Sequence, residues 1–160
     1  MMPAAYVTSE GGALLIIAVM LPVVGMLAVF DLGLRRAERI AYIILPAGLL
    51  IALAIAAEVA RTSAAVTYVL GGWQPPLGIA LRADGLSATL MVLTALVLCA
   101  VGLFAQGTFS TPPGTSEARR PMVFWTLMLG LWSALNTVFL GQDLFNLFVA
   151  LELLTFSAVP

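Results

Sequence analysis

One carboxylate in this sequence lies where a charge is costly. Glu152 has Phe148, Val149, Leu153 and Phe156 as near neighbours, and no lysine, arginine or histidine occurs close to it. Removing a charge from water into such surroundings is unfavourable unless an opposite charge or a proton neutralises it. Within a membrane, the default interpretation of such a group is functional, most often as a step on an ion or proton path. The sequence therefore predicts that Glu152 is a proton-transfer site.

A structural role for Glu152 is the alternative, in which a neutral carboxyl is hydrogen-bonded to another helix. Among the residues three and four positions away on a helix, only Thr155 carries a hydrogen-bonding group. No predicted helix supplies a cation at the same depth. Either Glu152 is protonated at rest, because desolvation disfavours its charged form, or its partner lies on residues outside this sequence.

Two other carboxylates are candidate helix caps or secondary polar sites. Asp143 lies nine residues before Glu152, which on a helix is about 13.5 Å of rise and half a turn, so the two do not share a proton. Its place before an apolar run is typical of an N-cap, as is that of Asp84 in Asp84-Gly-Leu-Ser87. Two amides, Asn136 and Asn146, are expected to form hydrogen bonds between helices.

Cofactor, metal and nucleic-acid binding are not indicated by the sequence. It contains no histidine and no lysine, its single cysteine is Cys99, and its net charge is −1. Metal sites need clustered ligands, and phosphate backbones need clustered basic residues. We therefore expect no cofactor, no metal site, no nucleic-acid partner and no catalytic centre within the chain itself.

These candidate residues are positioned by predicted membrane-spanning helices. Hydrophobic residues make up 62% of the chain and charged residues 9%, with a mean hydropathy of +1.10, whereas soluble domains are about 25% charged. A span needs roughly 20 apolar residues. The sequence thus predicts an all-α membrane protein in which residues 1–160 form a single transmembrane domain in the bilayer. The predicted helices are approximately residues 11–30, 40–60, 85–106, 121–140 and 143–160.

The arginines predict the orientation of these spans. The first and third links contain five of the seven arginines, and the second link contains the other two. By the positive-inside rule, the first and third links are cytoplasmic, the N-terminus is outside, and the fifth helix runs inward. In the second link, two β-prone stretches, residues 67–70 and 77–81, flank a centre rich in glycine and proline. They predict a short β-hairpin-like extracellular loop between the second and third helices.

Two motifs resemble one family of membrane proteins. The stretch Asp143-Leu-Phe-Asn-Leu-Phe-Val-Ala-Leu-Glu-Leu-Leu154 is similar to the fifth helix of the antiporter-like membrane subunits. These include subunits of Mrp-type Na⁺/H⁺ antiporters and the proton-pumping membrane subunits of NADH:quinone oxidoreductase (complex I) and of membrane hydrogenases. Residues 70–87 look like the segment before the third helix in this family, and their Trp-bearing loop favours the D-type branch of the Mrp antiporters.

The resemblance implies a subunit that translocates protons, or exchanges Na⁺ for H⁺, in the cell inner membrane as a multi-pass protein. Glu152 would match the family's fifth-helix glutamate, which interacts with a lysine on a later helix. The implied partners are other membrane subunits of a hetero-oligomeric complex, together with H⁺ and Na⁺.

Three interpretations stay open at this point. The chain is part of an ion-translocating subunit, or of a membrane subunit in a redox enzyme whose redox centres lie in partner subunits, or it is a non-functional truncation product. Whether it belongs to an enzyme is therefore open. Because members of the family have many more helices, we expect the chain to be the N-terminal part of a larger subunit.

Overall fold

A computed structural model describes residues 7–32, 34–73, 78–109 and 119–158. Within these ranges the chain forms five α-helices and one antiparallel pair of strands. In chain order the elements are α1 Ala13–Leu32, α2 Leu34–Thr62, β1 Val66–Val69, β2 Ala80–Ala83, α3 Gly85–Phe109, α4 Arg119–Leu140 and α5 Leu144–Ala158. The predicted all-helical membrane fold, with a hairpin between the second and third helices, is confirmed.

Four of the described helices are long and apolar enough to cross a membrane. The crossing segments are Ala13–Leu32, Arg36–Thr62, Gly85–Ala105 and Pro121–Leu140. The described part of α5 has 15 residues, about 22 Å at 1.5 Å per residue, which is shorter than the usual span of roughly 20 residues. The sequence predicted a fifth span as far as residue 160, and residues 159 and 160 lie outside the described ranges.

The second helix begins earlier than the sequence suggested. Its predicted start was near Ile40, whereas α2 begins at Leu34, so Arg36 and Arg39 lie in its first two turns rather than in a link. Hydropathy locates the part of a helix that lipid surrounds, and arginine lowers hydropathy although it is a good helix former. The first turns of α2 are therefore helical although their charged residues lower the hydropathy there.

The hairpin is shifted by a few residues from its predicted strands. Val66 pairs with Ala83 and Val69 with Ala80, in antiparallel register. The first strand ends before Leu70, because Gly71 and Gly72 have φ angles of 64° and 75°, a conformation that glycine adopts at little cost. Residues 74–77, which include the predicted start of the second strand, lie outside the described ranges.

Both edges of the hairpin are hydrogen-bonded to other parts of the chain. Ser9 N–H donates to the Thr67 carbonyl at 2.9 Å, and Thr67 N–H donates to the Ser9 hydroxyl at 2.8 Å. On the other edge, Leu81 forms an antiparallel bridge with Gly141, in the turn between α4 and α5. A strand edge covered in this way is protected from pairing with other chains.

The two ends of the helix bundle therefore differ. We call the end that contains β1, β2 and the α4–α5 turn the hairpin end, and the end at which α2 and α4 begin the arginine end. Arg119 and Arg120 are the first residues of α4, and Arg36 is in the first turn of α2. The two groups of arginines that the sequence placed on one side thus lie at one end of the bundle.

The core lies among α1, α2, α3 and α4 and is centred on two tryptophans. Trp125 is 1% exposed and Trp132 is 2% exposed. Gly48 on α2 allows Trp132 to approach closely, because a Cβ at this position would lie 2.7 Å from Cζ2 of the indole ring. Such a distance is shorter than real Cβ contacts, so helix α2 needs glycine here.

Candidate functional site

Helix α5 packs against α4 through one narrow stripe. Ala150 is fully buried, and Leu147, Leu154 and Ser157 are half-buried at spacings of three and four residues. Gly130 on α4 faces this stripe, and a Cβ there would lie 3.2 Å from the Ser157 hydroxyl oxygen. The small residue lets the two helices come close together, which fixes the face that α5 turns toward the bundle.

Glu152 lies on the opposite face of α5. It follows Ala150 by two residues, about 200° of rotation, so it points away from α4. Its side chain is exposed, and its neighbours Phe148 and Phe156 are 61% and 79% exposed. The apolar surroundings that the sequence predicted for Glu152 consist of neighbouring residues on α5 itself. No other described helix of the chain covers this face.

The carboxylate of Glu152 has no protein partner within the described ranges. Thr155 was the single neighbour on the same helix with a hydrogen-bonding group, and its hydroxyl donates to the Leu151 carbonyl at 2.9 Å. That bond belongs to the helix backbone and leaves Glu152 without a local donor. The role of Glu152 in proton transfer therefore stays a prediction.

Asp143 caps the start of α5. Its Oδ1 accepts from the Asn146 N–H at 2.8 Å, and its backbone carbonyl accepts from the Leu147 N–H at 3.0 Å. Its second carboxylate oxygen accepts a hydrogen bond from the side-chain amide of Asn146. The expectation that Asn146 would bond to another helix is therefore wrong, because the neighbouring carboxylate is a closer and charged acceptor.

Asp143 and Glu152 are not brought together by the fold. Asp143 is the N-cap of α5 and Glu152 lies within the helix, about 13.5 Å farther along its axis and on the opposite face. Asp143 is half-buried at the hairpin end, whereas Glu152 is in the middle of the helix. They form two separate sites rather than a carboxyl pair.

Asp84 caps α3 at the same end of the bundle. Its Oδ1 accepts from the Ser87 N–H at 2.9 Å, and its carbonyl accepts from the Ala88 N–H at 2.9 Å. The bond from Ser87, with a smaller contribution from the charge of Arg82, lowers the pKa of the Asp84 carboxyl below its usual value. Asp84 lies just before the membrane-crossing part of α3.

A buried polar contact between α1 and α4 was only partly visible in the sequence. The side-chain amide of Asn136, which is 3% exposed, donates to the Ala18 carbonyl at 2.8 Å. Pro22 stands four residues after Ala18 and has no N–H, so this carbonyl lacks its usual helical donor. Asn136 supplies the missing donor. The predicted interhelical role of Asn136 is thus correct, and the proline explains its partner.

Within the described parts of the chain, no group of three or more histidine, cysteine, aspartate or glutamate residues gathers where a metal ion could bind.

Three curated proteins are similar to this chain in sequence, and each is the D-type subunit of a cation/proton antiporter. The Na⁺/H⁺ antiporter protein of Alkalihalophilus pseudofirmus is 37% identical over 110 residues, covering 69% of this chain and 21% of that protein. The Na⁺/H⁺ antiporter protein of Bacillus subtilis is 33% identical over 92 residues, covering 58% and 17%. A probable K⁺/H⁺ antiporter protein of Rhizobium meliloti is 36% identical over 87 residues, covering 54% and 15%.

A solved structure shares the fold. A chain from the membrane-bound sulfane sulfur reductase (MBS), an archaeal respiratory membrane complex, superposes with a TM-score of 0.78 and 25% sequence identity. The match covers 90% of this chain and 29% of that chain. No protein-family model matches the sequence. The chain therefore corresponds to roughly a fifth of the curated relatives and to 29% of the solved chain.

Apolar spans, a capping hairpin and a short apolar fifth helix with one carboxylate define a multi-pass membrane protein. The chain is related to the antiporter-like membrane subunits, as the motifs in its fifth helix and hairpin predicted. Its named relatives in sequence are D-type subunits of cation/proton antiporters.

Proposed function

We propose that this chain is part of an ion-translocating membrane subunit and that Glu152 is its intramembrane protonatable site. The observation that carries the proposal is the position of Glu152 on the apolar face of α5 that points away from α4. A carboxylate next to acyl chains is costly and is usually retained for function. This face is therefore expected to meet protein or water, where the carboxyl group can bind and release a proton.

The counter-charge for Glu152 is proposed to lie on a neighbouring membrane segment of the assembly. The sequence contains no lysine or histidine, and the arginines with described side chains lie at the ends of helices or in the hairpin. A cation close to Glu152 would favour the carboxylate, and its departure would favour the protonated form. Movement of such a cation would couple proton uptake at Glu152 to events elsewhere in the complex.

The test is cation-driven proton movement in membrane vesicles that contain the complete assembly. We expect Glu152→Gln to lose most of this activity, because an amide of nearly the same shape cannot carry the proton. Glu152→Asp keeps the carboxyl group and should retain part of the activity. Glu10→Gln, at an exposed position of the hairpin end, is the matched control and should behave as wild type. Full transport by Glu152→Gln would refute the proposal.

A second candidate function is a membrane subunit of a respiratory redox complex. It is favoured by the structural similarity to a chain of the membrane-bound sulfane sulfur reductase. The same Glu152 would then take up protons in response to electron transfer in partner subunits. The two functions are distinguished by what starts proton movement in vesicles, an added cation gradient or an added electron donor and acceptor.

We also propose that the chain lies in the cell inner membrane with its arginine end in the cytoplasm. Arg36 and Arg39 on α2, with Arg119 and Arg120 on α4, support this orientation through the positive-inside rule. The hairpin end would then face the outside, and α5 would run inward from it.

A further inference from the structure

Asp143, the N-cap of α5, is followed at intervals of three by three residues of α5, and together they wind half a turn around the helix. They are Asp143, Asn146, Val149 and Glu152, and we call them the polar row. Residues three apart are neighbours on a helix surface. Each step advances about 4.5 Å and turns the direction by about 60°. The polar row therefore begins at the hairpin end beside α4 and reaches Glu152 on the outward face.

The first two members of the polar row are already connected. The Asp143 carboxylate accepts hydrogen bonds from both the backbone N–H and the side-chain amide of Asn146. An asparagine side chain donates through its nitrogen and accepts through its oxygen. Asn146 can thus bind Asp143 on one side and a water molecule on the other.

Val149 is the single apolar member of the polar row, and no other described helix covers it. Its side chain is 41% exposed. From Asn146 to Glu152 the helix rises about 9 Å, and side chains lean toward the start of their helix, so the Glu152 carboxyl inclines toward Asn146. The two side chains also point about 120° apart, so at about 2.8 Å per hydrogen bond a chain of several water molecules is needed to bridge the gap.

The residues of α5 that follow Glu152 toward the arginine end are less able to bind water. The next residue in the same series, Thr155, donates its hydroxyl to a carbonyl of its own helix at 2.9 Å. Phe156, one turn beyond Glu152, is 79% exposed and apolar. Beyond Glu152, Thr155 thus bonds its own helix and Ser157 faces Gly130 of α4, whereas Asn146 lies on the side of the hairpin end.

We propose that the polar row is the route by which Glu152 exchanges protons with water at the hairpin end. The inference rests on the proposed function of Glu152 as a protonatable site. A proton from water at this end reaches the water bound at Asn146. Each water in turn forms one O–H bond and breaks another, and the last proton binds to a carboxylate oxygen of Glu152. Release follows the reverse order, so that one proton moves for each carboxyl group neutralised.

The route is tested by cysteine labelling in the complete membrane assembly. Cys99 is the single cysteine of the chain, so Cys99→Ala provides a clean background for Val149→Cys and Glu152→Cys. Phe148→Cys and Leu151→Cys are controls at nearly the same depths but off the polar row, and both wild-type side chains are exposed. A membrane-impermeant thiol reagent is added from the side of the hairpin end, and the labelled peptide is identified by mass spectrometry.

We expect Val149→Cys and Glu152→Cys to react several times faster than their controls. Thiol reagents attack the thiolate, which forms where water reaches the sulfur. Adding Asn146→Leu should slow the labelling of Glu152→Cys by removing the water-binding amide. Equal total labelling of the isolated membranes after denaturation in detergent shows that all variants are present there in equal amounts.

Two results would overturn the route. One is labelling of Val149→Cys and Glu152→Cys no faster than that of their controls. The other is labelling of Glu152→Cys from the arginine end alone. The proposed function is tested separately, because it is refuted by full transport in the Glu152→Gln variant. If that variant is active and the polar row is accessible to water, the function is refuted but the water-accessible path remains.

Discussion

Asn136 and Pro22 are complementary residues across the contact between α1 and α4. Proline removes the N–H that would have bonded the Ala18 carbonyl, and the Asn136 amide donates to that carbonyl at 2.8 Å. Leaving a carbonyl without a donor inside a membrane bundle is unfavourable. The proline can therefore be accommodated in α1 as long as Asn136 stands beside it.

A double-mutant cycle tests this relation. Asn136→Leu should lower the free energy of unfolding by about 1 kcal/mol, a typical value for an interhelical hydrogen bond in a membrane protein. In a Pro22→Ala background the same substitution should cost less, because the new N–H of residue 22 can bond Ala18. The measurement is unfolding of the purified protein in detergent, followed by circular dichroism.

Ser133→Ala is the matched control for this cycle. The Ser133 hydroxyl donates to the Val19 carbonyl at 3.0 Å, and the helical donor for Val19 is the N–H of Val23, which is present with or without Pro22. Its cost should thus be the same in both backgrounds. An equal cost of Asn136→Leu in both backgrounds would show that Asn136 does not compensate for the proline.

At the same scale, the sequence revealed Glu152 but not the partner of Asn136. Glu152 is anomalous among its immediate neighbours, so a local pattern suffices to find it. Asn136 bonds a carbonyl that is 118 residues away, and backbone carbonyls carry no sequence signature. Glu152 is exposed within this chain because a different face of α5 packs on α4. The nearly uniform apolar composition of α5 does not specify that face.

Helix α2 approaches α4 at one point where only glycine fits. Gly48 lies against the ring of Trp132, which is 2% exposed. Neighbouring helices in membranes often come together through such small residues. The position of Trp132 in the core thus depends on the absence of a side chain on a different helix.

Gly48→Ala should therefore destabilise the bundle. The added methyl group would overlap the indole and force either the ring or α2 to move, at a cost of about 1–3 kcal/mol. Gly85→Ala is the control, because nothing lies within 4 Å of a Cβ at that position. If Gly48→Ala and Gly85→Ala unfold at the same thermal midpoint, the contact between residue 48 and Trp132 accommodates a methyl group without loss of stability.

Elements differ in how well the sequence predicted them. The long spans followed from hydropathy because bilayer thickness sets their length, a local property of each segment. The start of α2 at Leu34 was missed because arginines in its first turns lower the hydropathy there. The strand bounds were missed by one to three residues, since they depend on backbone contacts of Thr67 and Leu81 with other parts of the chain.

Across the whole molecule, the hairpin end joins parts of the chain that are distant in sequence. Ser9 before α1 bonds β1, β1 pairs with β2, and β2 forms a bridge to Gly141 before α5. This continuous ribbon holds the helix ends in one layer. It also contacts the turn from which the polar row begins, so the position of Asp143 depends on contacts that Ser9, β1 and β2 make.

Membrane sidedness is the prediction that belongs to this scale. With Cys99→Ala as background, Glu10→Cys reports on the hairpin end and Arg36→Cys on the arginine end, and both wild-type side chains are exposed. Because cytoplasmic links retain arginine, an impermeant thiol reagent applied to intact cells should label Glu10→Cys directly and Arg36→Cys only after the membrane is permeabilised. Labelling of Arg36→Cys in intact cells would place the hairpin end in the cytoplasm. The polar row would then open to the cytoplasm, and protons would reach Glu152 from the opposite side of the membrane.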